Sequence, residues 1–256
     1  MCGKAAVSQL TWKEIYGWAT SLTAPGVLPE NPADRINISP SRLRRKSEPD
    51  SMTWETLPAI YADNDIDRPI EAFWPFLPPW AGGRLPRNKA GKLLATANAR
   101  LRHDGQAFAP SYMGAWSKDV RVLVPVSWFY EFDSRVRPQV PYAVFPLSTP
   151  FWMLCGLGSW FTAQDGAQKL SISIITVDPN EVLKSVGHHR SPAILRNASE
   201  AGCWLRASKQ EALELLRPFP EESMGVEQVP MGIKIPGNEN ISLPRCLDRG
   251  PAGVRS

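Results

Sequence analysis

Apolar residues occur along the chain in short runs separated by proline, glycine and charged residues, a pattern typical of many short strands. The segment 120–132 is rich in valine and aromatic residues and is the clearest strand region. The aromatic and proline-rich segments 54–61 and 72–80 are expected to pack as strand and loop. Further apolar runs predict strands at residues 35–40, 142–145, 152–160 and 170–177.

Three helices are predicted from apolar stripes that follow capping sequences, at residues 12–22, 178–187 and 208–216. Thr11 with Glu14, and Ser208 with Glu211, have capping-box spacing, in which side-chain oxygens satisfy the first free backbone N–H groups of a helix. Asp178 is the expected N-cap of the second helix. Helices are therefore predicted to be few and short.

The chain of 256 residues contains 25 prolines and ten tryptophans. Prolines interrupt helices and central strands, so they favour a loop-rich fold built around a sheet. We find neither an internal repeat nor a linker that would divide the sequence. We therefore expect one α+β domain at residues 2–235, with a strongly bent, mixed and partly barrel-like β-sheet, followed by an irregular tail at residues 236–256.

The net charge of +4 permits a nucleic-acid partner without requiring one. The N-terminus lacks the pattern of a signal peptide. The longest apolar stretch, residues 151–161, is interrupted by glycine and is too short to cross a bilayer. We therefore expect a cytoplasmic monomer without membrane contact. The basic run at residues 42–46 is assigned to a solvated loop.

The four cysteines are widely separated, and none forms a CxxC pair. This spacing disfavours both a zinc site and a disulfide framework, so we expect no metal and no cofactor. Cys155 and Cys203 lie in apolar or tryptophan-containing sequence and are expected to be small buried hydrophobic residues. Cys2 differs, because removal of Met1 would make it the N-terminal residue.

An N-terminal Cys2 would hold an α-amine and a thiol on adjacent carbons. The pKa of an α-amine is about 8, against about 10.4 for lysine, so more of it is the free nucleophile at neutral pH. Such an amine can attack an aldehyde to form a Schiff base, and the thiol can then close a thiazolidine ring. Two other interpretations are an ordinary terminal residue and the acyl-transfer cysteine of class II glutamine amidotransferases. The second lacks support, since the sequence has no Asn-Gly pair for an oxyanion site.

Six segments occur in the order of the motifs of one known family. They are the N-terminal Met-Cys-Gly, Arg-Ile-Asn-Ile-Ser-Pro-Ser (35–41), Trp-Pro-Phe-Leu-Pro-Pro-Trp (74–80), Asn-Ala-Arg (98–100), Arg-Val-Leu-Val-Pro with Phe-Tyr-Glu-Phe (within 121–132), and His-His-Arg-Ser-Pro (188–192). Over residues 2–205 the sequence resembles the SOS-response-associated peptidase (SRAP) family. No single segment decides this, but six in the right order are specific.

The resemblance implies an enzyme that acts on damaged DNA. Its Cys2 is expected to attach covalently, through a thiazolidine, to abasic sites in single-stranded DNA. The implied catalytic residues are Cys2, Asn98, Glu131 and His188, and the implied DNA contacts are Arg100, Trp74, Arg190 and Asn37. The resemblance assigns proton transfer to Glu131 and His188, and the orientation of the reactants to Asn98. The resemblance also implies weak lyase activity at the lesion and a peptidase activity that removes Met1.

Three departures from the family pattern lie at Pro75, at residues 101–103 and at Ser191. None of them removes an implied catalytic group. The adjacency of His188 and His189 leaves open which ring is the acid–base residue, although the pattern assigns this role to His188. Two alternative functions also stay open: a cysteine hydrolase or amidotransferase that acts on amide bonds, and a non-catalytic protein that binds single-stranded DNA.

Overall fold

The computed structural model describes residues 3–38, 55–102, 104, 106–163 and 165–231. The strands are β1 (Lys4–Val7), β2 (Arg35–Ile38), β3 (Glu55–Asp63), β4 (Ile66–Trp74), β5 (Asn98–Arg100), β6 (Arg121–Val126), β7 (Trp128–Asp133), β8 (Val140–Pro146), β9 (Trp152–Thr162), β10 (Gln168–Val177), β11 (Ser191–Pro192) and β12 (Met224–Gln228). The helices are α1 (Trp12–Trp18), α2 (Pro110–Ser117), α3 (Glu181–Ser185), α4 (Ala198–Arg206) and α5 (Lys209–Glu214).

Five strands close into a barrel. In the order β10-β4-β3-β6-β9 each strand pairs with the next, and β9 also pairs with β10, which completes the ring. The β10–β4 pair is parallel and the other four pairs are antiparallel, so the barrel sheet is mixed. Its strands contribute fully buried aliphatic side chains to the core, among them Leu57, Ile60, Leu123, Leu157 and Ile172. Removal of this apolar surface from water is the main stabilising contribution.

A second, antiparallel sheet has the strand order β12-β8-β7-β1-β2. It continues directly from the barrel, because Ser127 alone separates β6 from β7. The Ser127 N–H donates to Ala6 O (2.9 Å), and its hydroxyl donates to Ser8 O and accepts from the Ser8 N–H, both at 2.9 Å. These bonds hold the N-terminal strand beside β7 at the point where the chain passes from one sheet to the other.

Helix α4 packs against the barrel strand β6. Trp204 is fully buried, and its Nε1–H donates to Val122 O at 2.9 Å. From the end of α4, Arg206 Nη2 lies 2.6 Å from Oδ2 of the fully buried Asp67 on β4. A buried carboxylate is costly without a counter-charge, so this ion pair fixes where α4 can lie.

The α+β class and the barrel-like sheet are confirmed by the structure. The capping boxes at Thr11 and Ser208 are both formed. The N-cap of α3 is Asn180 rather than Asp178, because the Asn180 side chain accepts from the Leu183 N–H. The segment 120–132 is two strands in different sheets, and α2 and α4 were not predicted.

Two sequence predictions concern residues outside the described ranges. These are the solvated loop at 42–46 and the irregular tail at 236–256. Among the helices that the structure does describe, none has the length and apolar character that a bilayer-spanning segment requires.

The packing of the barrel wall can be tested at Gly156 on β9. A β-carbon there would lie 2.8 Å from Val122 Cγ2 and 3.1 Å from Ser173 O. We predict that Gly156→Ala lowers the free energy of unfolding by about 1–3 kcal/mol in urea denaturation, because the added methyl group overpacks the wall. Gly114→Ala is the matched control: nothing lies within 4 Å of that α2 position, so alanine should stabilise by about 0.5–1 kcal/mol. Equal changes in the two variants would contradict this packing.

Candidate active site

The centre of the candidate site is a contact between a glutamate and a histidine. Glu131 on β7 is fully buried, and Oε2 lies 2.8 Å from Nε2 of His188, which is 7 % exposed. The other ring nitrogen, Nδ1, lies 2.9 Å from Arg190 O. A carbonyl oxygen can only accept, so Nδ1 is the ring nitrogen that donates in this contact, and Nε2 faces the carboxylate. This arrangement can donate or accept a proton at a buried site.

The position of His188 is set by the end of helix α3. The N–H of Gly187 donates to Lys184 O at 3.0 Å, and the N–H of His188 donates to Leu183 O at 2.9 Å. Gly187 has a φ of +71°, in the left-handed region that glycine adopts at helix C-termini. The turn therefore leaves the helix in a fixed direction and directs the chain back toward β7.

A bracing pair, Asp133 and Arg135, holds this turn against the end of β7. Arg135 Nη2 donates to Asp133 Oδ2 at 2.7 Å and to Ser185 O, in the last turn of α3, at 2.8 Å. The hydrogen bond from Arg135 lowers the pKa of the Asp133 carboxyl group. Because Asp133 is two residues from Glu131 on the same strand, the bracing pair connects the backbone of both members of the Glu131–His188 contact.

The strand β5 brings two further predicted site residues beside β10. Asn98 pairs with Ile174 and Arg100 with Thr176 in parallel register. The Tyr112 hydroxyl donates to Asn98 O at 3.1 Å, and burial raises the pKa of Tyr112 to about 12, so this phenol stays protonated at neutral pH. Asn98 is half-buried, whereas Arg100 is exposed and available to an anion.

Arg190 does not occupy the position that a phosphate contact requires. Its side chain is 4 % exposed, and Nη2 donates to the backbone carbonyl and, at 3.1 Å, to the hydroxyl of Thr176. Burial and the neighbouring Arg100 lower the pKa of Arg190. The guanidinium thus joins the loop after His188 to strand β10, and this geometry favours a bracing role over the predicted DNA contact.

The burial of Trp74 disfavours the predicted DNA contact at this residue. This side chain is fully buried, and its Nε1–H donates to Ala97 O at 2.9 Å, so neither ring face is open to a base. Trp80, the last residue of the same motif, is 60 % exposed. The sequence motif does not show which of the two tryptophans is buried. The difference in burial arises because the chain leaves β4 at Trp74 and turns through a 3-10 helix at Pro79–Ala81. Asn37 is 1 % exposed on β2, so it too lacks an open surface for DNA.

Only one of the two adjacent histidines contacts the glutamate. His189 is exposed, and its ring stacks on that of His188 with centroids 5.4 Å apart and an interplanar angle of 20°. Partial desolvation, followed by the charge of His188, lowers the pKa of His189. The geometry therefore favours His188 over His189 as the acid–base residue.

Cys2 lies outside the described residues, and the structure describes the chain from Gly3. Strand β1 begins at Lys4 and runs antiparallel to β7, with Ala5 opposite Phe129 and Ala6 opposite Trp128. When this register is continued toward the N-terminus, Gly3 comes opposite Glu131. The first described residue of the chain thus leads toward the Glu131–His188 contact.

Comparison with known proteins identifies the family. The model of the family described as "SOS response associated peptidase (SRAP)" matches residues 1–235.

The chain belongs to the SRAP family.

Two curated relatives of this SRAP chain are named abasic site processing proteins, both from Bacillus subtilis (strain 168). YoaM is 27 % identical over 191 residues, which cover 72 % of this chain and 78 % of that protein. YoqW is 25 % identical over 189 residues, which cover 72 % of this chain and 79 % of that protein.

The structure of the SRAP chain is also similar to two crystal structures. One, from Bacteroides thetaiotaomicron, has a TM-score of 0.65 at 20 % identity and covers 94 % of this chain and 100 % of its own. The other, from Bordetella bronchiseptica, has a TM-score of 0.64 at 18 % identity and covers 90 % and 100 %.

The turn before His188 can be tested by Gly187→Ala. A β-carbon at this position would lie 2.2 Å from Asp133 Oδ1. Gly91→Ala is the matched control, because Gly91 has a similar φ of +75° with nothing within 4 Å. We predict a loss of about 1–2 kcal/mol in unfolding free energy for the control, from the left-handed backbone alone, and a larger loss for Gly187→Ala. The ring-nitrogen NMR shifts of His188 should move only in Gly187→Ala; unchanged shifts would contradict the role assigned to this turn.

Proposed function

We propose that this SRAP protein processes abasic sites, and that Cys2, exposed by removal of Met1, captures the lesion in single-stranded DNA. The α-amine attacks the C1′ aldehyde of the ring-opened deoxyribose, and loss of water gives a Schiff base. The Cys2 thiol then adds to the same carbon while its proton passes to the nitrogen. One C–N and one C–S bond form, one water leaves, and the product is a thiazolidine crosslink.

The buried Glu131–His188 contact is the observation that carries this proposal. Both steps need a proton to be moved: onto the departing hydroxyl when water leaves, and from the thiol to the nitrogen when the ring closes. A carboxylate and an imidazole that lie 2.8 Å apart can supply both transfers. The register of β1 supports the placement, because it leads Gly3, the neighbour of Cys2, toward Glu131.

Strand β5 supplies the groups that would orient the DNA. The half-buried Asn98 has a side-chain amide that can both donate to and accept from a sugar hydroxyl. The exposed Arg100 offers a permanently charged, forked guanidinium suited to a phosphate. Both residues are held by pairing with β10, which also carries Thr176, the partner of Arg190. The two proposed DNA contacts and the Arg190 brace are thus attached to the same strand, β10.

The family and its relatives support the choice of substrate. YoaM and YoqW are named abasic site processing proteins, and each is similar to this chain over most of its length. A Schiff base that forms before ring closure would also permit β-elimination at the lesion, so we include a weak lyase activity in the proposal. The peptidase activity in the family name is assigned to the removal of Met1, which exposes the Cys2 amine.

The test is a denaturing gel of the protein mixed with a single-stranded oligonucleotide that carries one abasic site. A heat-stable shifted band is expected with the wild type, and none with Cys2→Ala or with an undamaged strand. Absence of the band, from protein that mass spectrometry shows to begin at Cys2, would refute the proposal. Turnover of a small amide substrate by that protein would then favour the amide hydrolase, and equal binding of intact and abasic strands would favour a simple binding protein.

Variants of the proton-transfer pair should slow the reaction without abolishing it. We predict that Glu131→Gln and His188→Gln each lower the initial crosslinking rate by about 10²–10⁴-fold, the usual contribution of general acid–base catalysis. The double variant should be little slower than either single variant, because the two residues act as one unit in proton transfer. His189→Gln is the neighbouring control and should stay close to the wild-type rate. A large loss in His189→Gln with none in His188→Gln would contradict the assignment.

The exposed Trp80 should take the stacking role that Trp74 cannot. We predict that Trp80→Ala weakens non-covalent binding of an undamaged single strand, measured by fluorescence anisotropy in the Cys2→Ala background, by about 1–3 kcal/mol. Trp80→Phe retains a ring for stacking and should restore most of the affinity. If the alanine and phenylalanine variants bind equally to the wild type, Trp80 does not contact the DNA.

A further inference from the structure

A long stretch of the sequence before the candidate active site contains no carboxylate. From Ala72 to His103 there is neither aspartate nor glutamate, although the whole chain contains 25 of them. The same stretch contains six lysines and arginines: Arg84, Arg87, Lys89, Lys92, Arg100 and Arg102. Because the net charge of the chain is only +4, this is a local concentration of positive charge rather than a general property of the protein.

Residues 84–94, which we call the basic hairpin, have a defined backbone. The N–H of Asn88 donates to Lys92 O at 2.9 Å, and that of Leu94 donates to Pro86 O at 2.8 Å. Asn88 Oδ1 accepts from the N–H groups of Ala90 and Lys92 at 3.0 and 2.9 Å. An asparagine that accepts from the backbone of the following residues stabilises a tight turn. The cationic side chains therefore project from an organised loop.

The four cations of the basic hairpin are exposed and uncompensated. Arg84, Arg87, Lys89 and Lys92 all lie at the surface. None of them takes part in an ion pair within the part of the chain that the structure describes. Arg87 Nη1 donates to Gly91 O at 2.8 Å, which orients one edge of its guanidinium. Exposed, unpaired cations on an ordered loop are suited to an anionic partner.

The location of the basic hairpin indicates which anionic partner it binds. At its start, the Arg84 N–H donates to Ala81 O at 3.1 Å, so the hairpin follows directly from the turn that exposes Trp80. At its end, the chain continues into β5 with Asn98 and Arg100. A stacking face on one side and the lesion-binding strand on the other favour a nucleic-acid strand over an acidic protein segment.

We propose that the basic hairpin binds phosphodiester groups of the single strand that flanks the abasic site. This proposal rests on the function proposed above and assigns the hairpin a binding role separate from the covalent step. Lys89, in the turn, and Lys92, directly after it, act as point charges on the backbone and carry no sequence preference. The hairpin thereby raises the affinity for a strand that extends beyond the lesion.

The salt dependence of binding tests the proposal. Binding of a fluorescent undamaged single strand to the Cys2→Ala protein is measured over a series of NaCl concentrations. The hairpin variant is Lys89→Gln/Lys92→Gln. The control variant is Lys13→Gln/Lys118→Gln, which changes the net charge by the same amount. Lys13 is exposed on α1, and Lys118 is exposed directly after α2. The slope of log Kobs against log[NaCl] should become shallower by about 1.4 in the hairpin variant, at about 0.7 per single-strand phosphate contact. The control variant should keep the slope of its parent.

Two results would overturn the proposal: an unchanged slope in the hairpin variant, or an equal change in both double variants, which would reflect net charge alone. The crosslinking gel, run in parallel with Cys2 intact, separates this proposal from the function. A crosslink with an unchanged slope refutes the hairpin and leaves the function standing. A shallower slope without any crosslink supports the hairpin and refutes the covalent function.

Discussion

The contact between Glu131 and His188 removes a carboxylate and an imidazole from water, and each is tolerated in the interior because the other compensates it. Much of the surrounding structure serves to keep these two groups together. Arg190 O fixes the tautomer of the ring, Gly187 sets the direction of the turn, and Arg135 connects the end of β7 to the last turn of α3. A site with this many constraints is preorganised, so little reorganisation is needed when a reactant arrives.

The two sheets explain how groups far apart in the sequence meet at this contact. The barrel presents β10 with β5 beside it, and the second sheet presents β7 with β1 beside it. Ser127 joins the sheets and hydrogen-bonds to Ala6 in the N-terminal strand and to Ser8 directly after it. Strand β1, the first strand of the described residues, is thereby held beside β7, which carries Glu131. The role proposed for Cys2 needs this kind of support, because chain ends are poorly ordered unless they are tied into a sheet.

Local signals in the sequence were sufficient for the caps of α1 and α5 and for most strands, and the family motifs named both residues of the buried pair. They failed where tertiary context decides the outcome. Nothing in the sequence distinguishes Trp74 from Trp80, since burial depends on where the chain leaves β4. Arg190 has the residue type of a phosphate ligand, yet its side chain is directed inward to Thr176. The charge of the basic hairpin is visible in the sequence, but its exposure and its order become evident only in the fold.

The central claim is that the amine and thiol of Cys2 together capture the lesion, and mass spectrometry of the captured product tests it most directly. The protein is incubated with an abasic single strand, the DNA is digested with nuclease, and free thiols are alkylated before peptide mapping. The account predicts a deoxyribose remnant on the peptide that begins at Cys2, with a thiol that resists alkylation. A remnant on a lysine, or an N-terminal peptide with an alkylated Cys2 and no remnant, would contradict it.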